Sequence, residues 1–149
     1  MSSTTAAGSK LAISAGTPAT DNAAGYAALT YTNIKGIETI GTIGETFEVV
    51  RFQPLDGPLE KYKGPGDSGS LQPRFAIDKN DAGQSLVRTA GADRTNKLYA
   101  FQLTLPTGEK SQFGARVFGN ARNVESAASI LTSSPVIEIS TVIFEVAAA

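Results

Sequence analysis

The 149-residue sequence contains no histidine, no cysteine and no tryptophan. Without histidine, the chain lacks the commonest general base, the commonest metal ligand and the usual pH switch. Without cysteine, it can form neither disulfides nor thiolate–metal sites. An enzyme built from this chain would have to work with carboxylate, lysine, tyrosine or serine side chains alone. The length predicts a single domain, residues 1–149, with a core large enough to fold without cross-links.

Charge is also scarce and nearly balanced, with 13 basic and 14 acidic residues. A nucleic-acid-binding domain normally carries a basic surplus that neutralises phosphates, so the balance argues against that class. Charged residues make up 18% of the chain, whereas an average soluble domain has roughly 25%. A surface with so little charge predicts that partners cover part of it.

No targeting or membrane segment is visible in the sequence. The first 16 residues have neither a basic leader nor a sustained apolar run. No stretch approaches the roughly 20 apolar residues of a membrane span. We therefore expect a protein that stays in the cytoplasm until it is assembled.

Residues 1–9 are small and polar and predict a flexible arm, and the turn formers of residues 17–28 predict a loop.

Most of the remaining sequence shows the alternating pattern of β-strands. Two alternating stretches flank the turn formers Pro106-Thr107-Gly108, which predicts a β-hairpin. Their apolar residues are Tyr99, Phe101, Leu103 and Leu105 before the turn, and Phe113, Ala115 and Val117 after it. Residues 46–52 and 71–77 are further candidate strands, and Pro73 confines the second to a sheet edge or a strand start. In residues 34–43 isoleucine recurs every third position, and we expect two short strands broken near Gly41.

One helix is predicted after Asp81. This residue suits an N-cap, and Gln84 three positions later completes a capping-box pattern. Ala82, Leu86 and Ala90 would share one face, and Gly91 would end the helix. A helix of about ten residues is too short to be stable alone, so it must pack on the sheets.

The segment Val136–Val146 is apolar at both strand parities. A strand with one solvent-facing side should show one polar face, so this pattern predicts burial on both faces. The second cover is either another subunit or a helix of the same domain.

The stretch KGPGDSGSL, residues 63–71, matches two catalytic motifs. Gly66-Asp67-Ser68-Gly69 spells the nucleophile motif of trypsin-like proteases, but the serine needs a base and the chain has no histidine. The glycines also fit a dinucleotide-binding loop, but Pro65 lies inside the motif and Pro73 follows where a helix should begin. We therefore predict no enzyme, and no cofactor.

Carboxylate pairs do not predict a metal site. Asp78 and Asp81 lack the ordered ligand spacing and the distal glutamate of a calcium-binding EF-hand loop. Capping of the predicted helix explains Asp81. Glu45 and Glu48 form a similar pair, but no neighbouring residue in the sequence indicates acid–base catalysis or calcium binding by them.

Residues 53–70 contain three prolines and four glycines, so we predict a long loop without regular structure. Loops longer than about 12–15 residues are usually functional or disordered. This one carries Leu55, Leu59 and Tyr62, and full burial of such side chains stabilises by about 1.5–3 kcal/mol each. Its prolines reduce the entropy lost on ordering. We predict a docking loop whose target is either its own domain or another subunit.

Three segments resemble the major tail tube proteins of long-tailed, siphovirus-type bacteriophages. They are residues 23–64 (AAGYAAL through LEKYKG), 81–91 (DAGQSLVRTAG) and 99–117, and the likeness covers roughly residues 19–146. The resemblance implies a mainly β fold, a β-sandwich or barrel with one short flanking α-helix, similar to the tube protein of type VI secretion. It also implies a virion tail protein that is made in the host cytoplasm and has no catalytic, cofactor or metal residues.

The resemblance further implies hexameric rings that stack into a tube through which DNA passes without sequence-specific binding. The implied partners are other copies of the chain, a tail terminator, a tape measure protein and distal tail proteins, with no membrane. Residues 53–70 match the family's loop that reaches the adjacent ring. Its inter-subunit contact candidates are Leu55, Asp56, Leu59, Glu60, Lys61, Tyr62, Lys63 and Asp67.

Two other classes remain open from the sequence. A capsid-decorating or head–tail joining protein would share the β-rich, small-residue composition. A non-viral β-sandwich binding module, for example for carbohydrate, would normally display exposed aromatic residues, yet aromatics are only 7% of this chain.

Overall fold

A computed structural model describes residues 3–147 of the chain. In these residues strands dominate, so the predicted mainly β fold class is confirmed. The strands are β1 (Lys10–Ser14), β2 (Thr32–Asn33), β3 (Ile37–Thr39), β4 (Thr46–Phe52), β5 (Glu60–Asp67), β6 (Ser70–Leu71), β7 (Arg74–Ala76), β8 (Tyr99–Thr104), β9 (Lys110–Asn123), β10 (Thr132–Ile139) and β11 (Phe144–Val146). The helices are α1 (Ala23–Ala27) and α2 (Ala82–Ala92).

Nine strands form one sheet in the order β2-β1-β8-β9-β10-β7-β3, with β6 on β10 and β11 on β9. Every pair is antiparallel. The two ends of this order, β2 and β3, are joined by residues 34–36 alone. The sheet must therefore roll back on itself until its ends meet. Gly36, with a φ of 77°, makes the tight connection that a side chain would disfavour.

The predicted hairpin is confirmed as β8 and β9. Phe101 pairs with Phe113 and Tyr99 with Ala115, which puts the predicted apolar residues on one face. The turn closes where Leu105 donates its N–H to the carbonyl of Glu109, at 2.9 Å. Gly108 supplies the positive φ, 99°, that the turn requires.

The core lies inside the rolled sheet and under α2. It is built from buried apolar side chains of β1, β8, β9 and β10 together with residues of the β6–β7 segment and α2. Its largest fully buried side chains are Leu11, Ile13, Leu71, Phe75, Val87, Phe101, Phe113 and Ile137. No element was predicted over residues 10–14, although four of the five residues of β1 are buried.

Helix α2 confirms the predicted N-cap, since the Asp81 carboxylate accepts the N–H of Gln84 at 3.1 Å. The helix continues through Gly91 to Ala92, so the predicted end was wrong by one residue. The buried residues are Gly83, Gln84, Val87 and Ala90, whereas Ala82 of the predicted face is exposed. Gly83 allows this close packing, because a Cβ there would lie 2.2 Å from the Asn33 carbonyl oxygen.

The predicted loop over residues 17–28 contains a second helix that the sequence analysis missed. Asn22 caps α1 by accepting the N–H of Gly25 at 2.9 Å, and Tyr26 is buried. The Tyr26 ring lies over Gly114 of β9 and packs on Phe144, with ring centroids 5.3 Å apart. The predicted arm is described only from residue 3, and Met1 and Ser2 lie outside the described residues.

The isoleucine-rich segment also differs from the prediction. Two short strands are present, but they flank Gly36, not Gly41, since β3 ends at Thr39 and no strand follows before β4. Residues 71–77 were predicted as one strand, but the chain forms two short strands, β6 and β7, which are interrupted at Gln72-Pro73.

The segment Val136–Val146 is two strands rather than one. From the pair Ile139–Ala115 to the pair Phe144–Gln112, this segment advances five residues while β9 advances three. Residues 140–143 therefore bulge out between β10 and β11, but two extra residues leave the parity unchanged. Phe144 lies beside Gln112, on the sheet face opposite to the core face of Ile139. On that second face Phe144 packs on Tyr26 of α1, so a helix of the same domain provides part of the cover that the doubly apolar pattern predicted. Val142 in the bulge is exposed.

Candidate assembly interface

Strands β4 and β5 form a separate two-stranded antiparallel sheet, which we call the hairpin arm. The prediction of an irregular loop over residues 53–70 was wrong, because residues 60–67 form a strand and only residues 53–59 form the turn. The arm tolerates Pro65 because β5 bulges there: between the pairs Phe47–Gly66 and Val49–Lys63, β5 advances by one residue more than β4.

Apart from hydrogen bonds at its base, the arm makes no extensive contact with another element of the described chain. Every residue of β4 is exposed, and so is every residue of β5 except the half-buried Gly64. The side chains of Phe52 and Tyr62 are 57% and 56% exposed, and Leu55 at the tip is fully exposed. A two-stranded hairpin alone in water is only marginally stable, and contiguous exposed apolar surface marks interaction sites.

Local contacts shape the arm from within. At its tip, the Gln53 side-chain amide donates to the carbonyls of Pro54 and Gly57, both at 2.8 Å. On one face the Tyr62 hydroxyl donates to the Glu60 carboxylate at 2.7 Å, which raises the pKa of Tyr62. On the other face the Lys63 ammonium lies 5.0 Å from the centre of the Phe47 ring.

The strand register assigns each side chain of the arm to one of two faces, because directly paired residues share a face. The pairs Val49–Lys63 and Arg51–Lys61 lie on one side, and the pairs Val50–Tyr62 and Phe52–Glu60 lie on the other. We call the first side the cationic face; it holds Phe47, Val49, Arg51, Lys61 and Lys63. We call the second side the acidic face; it holds Glu48, Val50, Phe52, Glu60, Tyr62 and Asp67.

All eight contact candidates from the sequence lie on this arm and are exposed. Three are in or beside the tip, Leu55, Asp56 and Leu59, and five are in β5, Glu60, Lys61, Tyr62, Lys63 and Asp67. The structure divides those of β5 between the two faces. Sequence reasoning missed the exposed apolar residues of β4, Phe47, Val49, Val50 and Phe52. The sequence feature that could have revealed them is that β4 has apolar residues at both odd and even positions and so has no fully polar face.

At the base of the arm, Ser68 has a structural role. Its hydroxyl donates to the Thr141 carbonyl at 2.8 Å, and the neighbouring Gly69 carbonyl accepts the N–H of Ile139 at 3.0 Å. The N–H of Gly69 in turn bonds the Asp67 carboxylate at 2.9 Å. These bonds fasten the arm to the β10–β11 segment and explain the residues of the protease-like motif without a reaction.

An apolar groove of about 550 Å³ lies on the body of the domain. It runs between the chain before β1, the β3 segment and the end of β8; its lining includes Ala7, Ile37, Ile40, Ile43, Leu103 and Leu105. The tip of the β9–β10 hairpin also exposes Val124, Ile130 and Leu131. Both features are further candidate contact surfaces.

Neither a metal site nor a membrane helix is found in residues 3–147. No group of three or more acidic, histidine or cysteine residues there is placed to hold a metal ion. Over the same range, neither helix combines the length and apolar character that crossing a membrane requires.

Comparison with known proteins finds its matches in structure and not in sequence. Neither protein-family models nor curated proteins match the sequence. The fold is similar to a chain in the sheath/tube terminator structure of the extracellular contractile injection system PVC (TM-score 0.72, 7% identity, 99% of both chains covered). It is also similar to a chain of the PVC sheath–tube complex (TM-score 0.68, 8% identity, 93% and 88% covered).

A third similar chain comes from the baseplate of the anti-feeding prophage AFP (TM-score 0.66, 10% identity, 98% and 97% covered). At identities this low, the likeness shows a common fold. The protein therefore has the tail-tube-like fold found in assemblies of this kind, as the sequence resemblance implied. These assemblies are contractile injection systems, whereas the sequence resemblance pointed to long-tailed siphovirus-type phages.

Proposed function

We propose that this protein is a structural subunit of a phage-tail-like tube and binds other copies of itself through the hairpin arm. The observation that carries the proposal is the arm itself. It has apolar side chains on both faces, and about half of the surface of each stays exposed in the described chain. The shared fold with chains of sheath–tube and baseplate assemblies supports the same role.

A passive structural role also suits the chemistry of the chain. The sequence has no histidine and no cysteine, and Ser68 is engaged with a backbone carbonyl. The near balance of charge suits a conduit, because a DNA channel must avoid gripping phosphates.

The finer proposal is that six copies form a ring and that rings stack head to tail, since a heterologous contact that does not close on itself builds a filament. The tube conducts DNA during ejection, ends on terminator and distal tail proteins, and encloses a tape measure protein. Its lumen-facing side chains are acidic or neutral. The attribution to a siphovirus-type tail rests on the resemblance of residues 23–64, 81–91 and 99–117.

Negative-stain microscopy and sedimentation of the purified full-length chain test this proposal. We expect hexameric rings or tubes that grow with protein concentration. A strictly monomeric species at the highest concentration reached would contradict it and would favour a monomeric binding module.

One observation favours a second candidate, a tube-terminating or head–tail joining subunit. The chain in the PVC terminator structure matches over 99% of both lengths with a TM-score of 0.72. The same microscopy separates the two functions, because a terminator forms single rings that do not stack. A tube subunit forms stacks of rings.

A further inference from the structure

The charges of the hairpin arm are completely sorted by face. Of the six charged residues within β4 and β5, Arg51, Lys61 and Lys63 lie on the cationic face, and Glu48, Glu60 and Asp67 lie on the acidic face. Arg51 is directly opposite Lys61, an arrangement of like charges that destabilises a free hairpin. A hairpin that only faced water would gain from mixing the two signs.

No ion pair in residues 3–147 involves a charged residue of either face, although Glu45, just before β4, places its carboxylate beside Gly66 on the cationic side. Among residues 3–147 the ion pair is Glu38–Arg74, which lies outside the arm. Both faces also carry exposed apolar side chains, Phe47 and Val49 with the cations and Val50, Phe52 and Tyr62 with the acids. Each face thus offers apolar area and a charge of one sign, and each is complementary to the other.

From this complementarity we propose that the cationic face of one hairpin arm packs against the acidic face of the arm of a neighbouring copy. The inference rests on the proposed self-assembly and specifies its contact. Because the two faces belong to the same arm, the contact is heterologous and passes from copy to copy. The apolar side chains supply the buried area, while the charges steer the encounter and fix its orientation.

Charge reversal tests this contact. The first variant, Lys61→Glu with Lys63→Glu, turns the cationic face acidic; the second, Glu48→Lys with Glu60→Lys, turns the acidic face basic. Each variant alone would place like charges together, and we expect its critical concentration for assembly, measured by pelleting, to rise at least about tenfold. In an equimolar mixture every contact of an alternating series is complementary again, so we expect assembly within about twofold of the wild type.

A double variant, Lys79→Glu with Glu109→Lys, is the matched control because both residues are exposed charges outside the arm; it should assemble as the wild type does. Thermal unfolding of each variant verifies that the subunit is folded. If either arm variant assembled normally by itself, the inference would be wrong, since that face would meet no charged partner. Two deficient variants that fail to rescue each other would also overturn it, and would point to the apolar groove as the receptor of the arm. Failure of the wild type to assemble would instead contradict the proposed function, and the inference with it.

Discussion

Gln84 holds together the two ends of the rolled sheet. It is fully buried, and its amide donates to the carbonyls of Lys35 and Ala76 at 2.8 and 2.9 Å. Its side-chain oxygen accepts the N–H of Asp78 at 2.8 Å. The sequence pattern predicted that Gln84 would complete a capping box with Asp81. It could not show that the side chain instead binds backbone groups brought close only by the fold, such as Lys35, 49 residues away.

Replacing Gln84 by leucine should destabilise the subunit. Two carbonyls and one N–H that are partly buried would lose their partner, and an unsatisfied group that is fully buried costs about 1–3 kcal/mol. We expect the free energy of unfolding in urea to fall by at least about 2 kcal/mol. The matched control is Gln72→Leu at an exposed position, which should stay within about 0.5 kcal/mol. Equal effects of the two substitutions would show that Gln84 does not hold the sheet closed.

Tyr31 makes a contribution to the stability of the subunit that is lost at alkaline pH. Burial, with a smaller contribution from Tyr26, raises the pKa of Tyr31 to about 12, and its hydroxyl donates to the Tyr26 carbonyl at 2.8 Å. The folded pKa lies above the unfolded value near 10, so the folded state favours the protonated phenol. This stabilisation is complete below pH 10 and is lost as the pH rises through 12.

The variant Tyr31→Phe cannot ionise at this position, so its stability should fall less steeply between pH 10 and 12. The measurement is the urea midpoint of both proteins across this range. The urea midpoints of both proteins will decline over this range, since the pKa values of Tyr26 and Tyr99 are also raised. The difference between wild type and variant should shrink as the pH rises. Parallel curves would contradict the assignment to Tyr31.

Among the elements, those with a clear local pattern were predicted correctly. The β8–β9 hairpin, the bounds of β4 and the start of α2 each follow from alternation, turn residues or an N-cap. Strand β5 could not be predicted in this way, because the proline and glycines of EKYKGPGD argue against a strand. Pairing with β4 and a bulge at Gly64-Pro65 override that local preference.

The apolar side chains of the arm should matter for assembly and not for folding. Leu59 and Tyr62 are 44% and 56% exposed, so replacing both by serine removes little that the isolated subunit buries. We expect its thermal midpoint to change by at most a few degrees, as for other surface substitutions, while pelleting of assembled protein falls sharply. The control is Leu71→Ser, at a fully buried position, which should unfold the subunit. A large loss of thermal stability in the Leu59/Tyr62 variant would show that the arm packs on its own domain.

For the molecule as a whole, the sequence indicated the fold class through resemblance but not the closure of the sheet. Closure depends on the pairing of β1 with both β2 and β8. Residues 10–14 are too few for their sequence pattern to predict a strand or its two partners. The proposed site overlaps residues 53–70, the segment singled out in the sequence, and its form as a two-faced hairpin depends on register with β4. The order EKYK separates Lys61 and Lys63 from Glu60 only if the segment is a strand, and the share of β4, such as Arg51 beside Lys61, depends on the pairing.

The central claim is that the hairpin arm exists to bind another copy of the chain. Cryo-electron microscopy of the protein assembled at high concentration tests this most directly. We predict a stacked-ring reconstruction in which the side chains of β4 and β5 are covered by a neighbouring subunit. The claim would be contradicted by particles that remain monomeric, or by an assembly in which both faces of the arm stay exposed to solvent.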